Sequence, residues 1–188
     1  MKSHRFRKLL TTIVCLFLLS VFFLIKKTNA DSVESTNLDN AEFAVKVVNK
    51  SESNKNFDTD EDEIFDLVNS ERQKNNLNEL AWDNQLSEIA RNYSRQMADE
   101  NFFDHFDPQG ADVVMRAKQA NLKHWSKIGE NLFSVANLRN FDRFAVKNWM
   151  LSPTHRQNIL DADFNTAGIG IAESASGEVF ITQVFIRR

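Results

Sequence analysis

Cysteine is almost missing from this chain: Cys15 is the only one among 188 residues. It lies inside an apolar run and follows bulky Val14, so it reads as an apolar residue in a membrane rather than a lipidation site. No disulfide can form within the remainder, and stability there must come from core packing. Acidic residues are absent before Asp31, whereas Lys2, Arg5, Arg7, Lys8, Lys26 and Lys27 all fall in that stretch. Removing those six basic residues takes the formal charge from −3 to −9, which argues against nucleic acid as a partner. No spacing matches a metal motif such as His-Glu-x-x-His, and no internal repeat is visible.

The residues that are present divide the chain in three. Residues 1–30 run from a basic start through an apolar stretch, Leu9–Ile25, to a small residue at Ala30, the order of a secretory signal peptide cut before Asp31. The same seventeen residues sit at the short edge of a membrane-spanning length, so a retained anchor is the alternative. Both readings place the rest of the chain outside the cytoplasm, and membrane contact would come only through residues 9–25. Residues 31–62 are rich in Ser, Asn, Asp, Glu and Lys and bury too little to offset their ordering entropy. They read as a polar spacer, against a short strand at 42–48. Residues 63–188 are close to the commonest domain size.

Within that domain, Ile64, Leu67 and Val68 recur at helical spacing, which predicts a helix over 61–75. After Asp83, the stripe Leu86, Ile89, Ala90, Tyr93 and Met97 predicts another over 84–101, with Leu77, Leu80 and Trp82 as an apolar link packed beneath both. Asp112 can cap a short helix carrying Val113, Val114 and Ala117. A helix over 139–151 should end near Pro153, with a further helical turn from Thr154 to Leu160. The period then changes: Ile169 and Ile171 alternate around Gly170, a Gly177-containing turn comes next, and Val179 to Ile186 reads as a second strand of an antiparallel hairpin. Ile128–Phe133 supplies a third strand. The class expected is α+β, a sheet covered by helices.

Beyond the leader only His105, His124 and His155 remain as histidines. His105 is enclosed by Phe102, Phe103 and Phe106; His155 opens a helical turn; Glu130 follows Gly129, which permits a close backbone approach. His124, beside Trp125, Ser126 and Lys127, reads as a solvent-facing loop residue. Taken singly, each of the others also has a plain structural explanation, such as Glu130 paired with Arg156.

The order of segments across 64–188 resembles the CAP superfamily, also called SCP or the cysteine-rich secretory protein, antigen 5 and pathogenesis-related domain, in its secreted bacterial branch. The resemblance is carried by Leu67-Val68-Asn69-Ser70-Glu71-Arg72, Leu80-Ala81-Trp82-Asp83, Asn101-Phe102-Phe103-Asp104-His105-Phe106-Asp107-Pro108 and Gly129-Glu130-Asn131. Trp149 through Leu160, Gly168-Ile169-Gly170 and Thr182-Gln183-Val184-Phe185 complete it. It implies a three-layer α-β-α sandwich with a central antiparallel sheet and a cleft, in which His105, Glu130 and His155 match the family's cleft residues. A second carboxylate of many eukaryotic members corresponds to Ser152 here, with Asp104 or Asp107 as substitutes to weigh. The disulfides of those members are lacking, and aromatics including Trp82, Phe144 and Trp149 would replace them in holding the core.

Three functions are open to that cleft. The first is an extracellular binding or interaction module for a lipid, a peptide or a cell-wall or host component. The second is a metal-assisted, peptidase-like hydrolase in which His105 and His155 hold a divalent ion such as Zn²⁺ and Glu130 takes a proton from its water, catalysis resting on those three residues. Two ligands are fewer than the three usual in catalytic zinc sites. Ser152 with His155 as base is a variant, set against Ser152 as a simple helix cap. The third is structural, the cluster tying sheet to helices. Asn131, Ser152, Arg156 and Asn158 are the expected supports around Glu130 and His155.

Overall fold

The computed structural model describes residues 56–188. The leader, the apolar patch at 42–48 and the spacer up to residue 55 lie outside the described residues. No helix among the described residues is long and apolar enough to cross a membrane.

Helix α1, Asp58–Lys74, starts three residues before the expected position. Asp58, Asp60 and Glu61, which read as polar spacer, form its first turn, where negative charge complements the helix dipole. Glu61 is buried: it binds Arg91 and accepts a hydrogen bond from the Ile171 N–H. Burial pushes its carboxyl up, against the opposing pull of Arg91. Strand β1, Ala81–Trp82, occupies the apolar link, and α2, Asn84–Glu100, comes next with Asp83 accepting from the Leu86 N–H at 2.9 Å. The remaining elements are α3 Val113–Gln119, β2 Lys127–Ala136, α4 Phe141–Leu151, α5 Pro153–Ile159, β3 Thr166–Glu173 and β4 Glu178–Arg187. Asp112 caps α3 through the Met115 N–H.

The sheet order is β1-β3-β4-β2. β2, β3 and β4 are antiparallel, and β2 pairs with β4 along its whole length, beyond the expected end at Phe133. β1 pairs in parallel with β3, so the sheet is antiparallel except at that two-residue edge. Alternation along the strands divides the core. Ala167, Ile169, Ile171, Val179, Ile181 and Phe185 pack against α1, α4 and α5, while Val184 and Ile186 meet Leu86, Ile89 and Ala90 of α2 and Ala117 of α3. Those two faces make the helix–sheet–helix layering.

Glycine sets how closely α2 lies on the sheet. A Cβ at Gly170 would fall closer than 3.0 Å to the Arg91 nitrogen and the Ala90 carbonyl carbon, and one at Gly168 would meet Leu86 and Ser87 equally closely. Only hydrogen leaves room for a helix backbone there. Ser94 Oγ uses the proximity to donate to the Gly170 carbonyl at 2.8 Å.

Among the aromatics expected to stand in for disulfides, Trp149 is fully buried and donates Nε1 to the Leu132 carbonyl, and Trp82 packs edge-on against Phe65. Phe144 differs: it lies 45% exposed, its ring 5.9 Å from Phe133. Helical spacing placed it inward, but β2 is the last strand of the sheet and offers Phe144 a flank rather than a floor.

Candidate functional site

The site forms where β2 ends the sheet laterally, with α3 on one face and α5 on the other. Because successive strand residues point to opposite faces, Glu130 aims at the α2–α3 side while Gly129 and Asn131 aim at α5. Gly129 is needed there, since a Cβ would sit 2.9 Å from the Phe164 ring.

Glu130 is 3% exposed at its side chain and both its oxygens are engaged. Oε1 lies 2.8 Å from Nδ1 of His105, and Oε2 accepts from Arg116 Nη2 at 2.6 Å. Arg116, itself buried, stacks 3.3 Å above the Tyr93 ring centroid and donates Nη1 to the carbonyls of Ala111 and His105. Tyr93 donates its hydroxyl to the Asp104 carbonyl at 2.6 Å, and burial pushes that phenol up to about 12. The loop carrying His105 is thus pinned at three carbonyls by side chains from α2 and α3.

From the other face, Asn158 of α5 donates to the Glu130 carbonyl at 3.0 Å and to Asn131 Oδ1 at 2.9 Å, and Asn131 donates to the His155 carbonyl at 3.2 Å. This amide relay holds α5, and with it His155, against β2. The two histidines are within electrostatic reach across the strand. The hydrogen bond to Glu130 raises the His105 ring above its ordinary value, whereas burial, then His105, lowers that of His155. His105 remains 51% exposed at its side chain.

Other expected residues fall elsewhere. Arg156 is exposed on the outer side of α5, beside Leu151, Pro153, Gln157, Leu160 and Asp161, and makes no ion pair with Glu130; Arg116 holds that place. Ser152 starts α5 without capping it through its side chain, and its Oγ faces Thr154 Oγ1 at 3.3 Å rather than His155. The carboxylates of Asp104 and Asp107 accept from the loop N–H groups of Phe106, Gln109 and Ala111, so they close turns and do not replace a second cleft carboxylate. His124 lies exposed in a left-handed turn.

Arg116 and Tyr93 were missed as site residues. The available signal was an arginine three residues beyond Val113, on the inward stripe of a short helix, with no acidic residue in that helix to pair with. The metal reading fits poorly: among the described residues no group of three or more His, Cys, Asp or Glu side chains is placed to hold an ion. Glu130, the third donor available, already serves His105 and Arg116.

Residues 65–185 match the family model described as the cysteine-rich secretory protein family, CAP. The chain belongs to the CAP family. It is 37% identical over 126 residues to YkwD of Bacillus subtilis (strain 168), covering 67% of this chain and 46% of that one. A membrane protein of the same organism, YlbC, is 30% identical over 130 residues, covering 69% and 35%. This CAP chain thus spans less than half the length of the curated relatives it matches. Among solved structures, an extracellular SCP-domain protein of Bacillus anthracis str. Ames is 32% identical with a TM-score of 0.61, covering 69% of this chain and 41% of that one. An outer surface protein of Borrelia burgdorferi is 20% identical with a TM-score of 0.64, covering 71% and 96%, and shares the fold.

Proposed function

We propose that this CAP domain is an extracytoplasmic binding module whose ligand site is the cleft at the β2 edge, between His105 and His155, with Glu130 as its buried anchor. The N-terminal leader would export or tether it. Support for the location comes from the similar extracellular Bacillus anthracis protein and the leader's charge pattern.

The observation that carries binding over hydrolysis is the complete engagement of Glu130. A general base needs a free oxygen within reach of the water it deprotonates. Here one oxygen holds His105 and the other a buried guanidinium, an arrangement that fixes the exposed imidazole in place. Preorganised polar groups of this kind orient a ligand.

The test is mass spectrometry of the lipids, peptides and glycans retained by the protein recovered from its native exterior, compared with the His105→Ala/His155→Ala double variant. A retained species lost in the double variant is the expected result. An identical retained set in both would overturn the assignment of the cleft.

A further inference from the structure

We propose that the outer edge of β2 at Ser134–Ala136 docks an extended peptide, which joins the sheet as an added strand. This goes beyond the cleft reading, because it uses backbone groups and none of the three cleft side chains.

The direction of those backbone groups is set by the pairing. Odd residues of β4 face β2 and even ones face β3, as the Ser174 N–H to Glu178 carbonyl and Asn165 N–H to Ile186 carbonyl bonds require. In the β2–β4 register odd pairs with odd, so the even residues of β2 turn their N–H and C=O away from the sheet. Two side-chain bonds agree: Asn158 reaches the Glu130 carbonyl and Trp149 reaches the Leu132 carbonyl.

Those two bonds also show where the edge is covered. Helices α4 and α5 plug the outward carbonyls at 130 and 132. Among the described residues nothing hydrogen-bonds to the outward N–H or C=O of Ser134 or Ala136. Native sheets usually blunt an open edge with charge, proline or a bulge. The segment Ser134-Val135-Ala136 has none of these and pairs regularly with β4.

An incoming strand would meet apolar surface on both faces. Phe144, beside Phe133, is half-exposed on the α4 face. On the other face Phe103 is 50% exposed and lies 6.4 Å from Phe180, the residue opposite Ser134. Alternate side chains of a docked strand point to opposite faces, so each finds a phenylalanine. Arg139 follows Ala136 by three residues and Lys147 comes one helical turn after Phe144; both are exposed, with no acidic partner among the described residues. The occupant this suits is an extended peptide with alternating apolar side chains and an acidic residue towards Arg139. A second copy fits less well, because its own edge would bring the same exposed Arg139 and Lys147 cations to this one.

The probe is a soluble peptide of about ten residues alternating valine and threonine with two glutamates near one end, added to the full chain and monitored by amide hydrogen exchange and by titration. Slowed exchange at Ser134 and Ala136 is expected, with Kd weakened at least about tenfold in Ser134→Pro and, independently, in Ala136→Pro. Proline at these positions removes an outward N–H and spares the β4 ladder, which unchanged melting would verify. The His105→Ala/His155→Ala variant should bind the peptide as before, so that failure of the cleft reading and of this one are separable. No binding at millimolar peptide, binding that survives either folded proline variant, or protection confined to residues outside 134–136 would overturn the proposal.

Discussion

Replacing Arg72 by methionine should cost about 4 kcal/mol of folding stability. Arg72 projects from α1 into the interior, 1% exposed, and among the described residues no ion pair holds its guanidinium, although the Asp161 charge acts on it against the effect of burial. Instead Nε donates to the Asn78 carbonyl at 2.8 Å, Nη1 to those of Ile159 and Asp161 at 2.8 and 2.9 Å, and Nη2 to that of Phe164 at 3.0 Å. Hydrogen bonds to a charged group contribute roughly 1.5–3 kcal/mol each, so four of them give on the order of 6–12 kcal/mol. Against this stands the removal of a cation from water, several kcal/mol, which is also why burial lowers the Arg72 pKa. The difference is about 4 kcal/mol, a large part of a typical total of about 5–15. For a folded region of this size the melting temperature should fall by roughly 12–16 °C. Arg72→Lys keeps the charge but cannot span the fork, so it should recover less than half. Calorimetric melting of the variants checks both numbers. A fall below about 4 °C in Arg72→Met, or full recovery in Arg72→Lys, would refute the reasoning. Because two of the four carbonyls lie at the end of α5 and just beyond it, hydrogen exchange from Asn158 to Phe164 should accelerate alongside.

Three further outcomes are expected from the geometry. Gly170→Ala should cost about 3 kcal/mol or more, since the new methyl meets helix backbone that cannot move aside singly; urea unfolding measures it, with surface Ser176→Ala as an unaffected control. The histidines should shape stability against pH in opposite senses. The His105 ring, raised by Glu130, stabilises fully below its ordinary 6.5 and loses that contribution as pH climbs through its folded value, so His105→Ala should flatten the limb above 6.5 in urea titrations from about pH 5 to 9. His155, lowered by burial, takes up its proton first in the unfolded chain, so stability drops as pH falls below 6.5 and His155→Ala should flatten that limb. Finally, equimolar Zn²⁺ should leave the ring resonances of both histidines unshifted in NMR spectra; saturable shifts abolished by His155→Ala would restore the metal reading.

Much of this architecture was legible in local pattern. Asp83 and Asp112 each precede an apolar stripe and each caps a helix, because a cap is satisfied within three residues of chain. The alternation around Gly170 announced a strand, though not that the glycines exist for α2. Ala81–Trp82 is too short to show a period, and its parallel pairing depends on Thr166 and Ala167, far along the chain. The start of α1 was hidden because acidic residues suit both a spacer and a first helical turn.

For the site, the sequence alone determined the residue types, their order and, through the family resemblance, which two histidines and which glutamate to examine. The tertiary structure decided their partners. Arg156 lies near His155 in sequence, yet Arg116 pairs with Glu130, because strand alternation turns Glu130 to the face that α3 covers, while Arg156 lies on the solvent side of the helix α5. Phe144 has the spacing of a core residue and became part of a surface because β2 is the last strand. Spacing along the chain records which side of an element a residue occupies. Which element lies opposite, and where a sheet stops, is set by packing between distant segments.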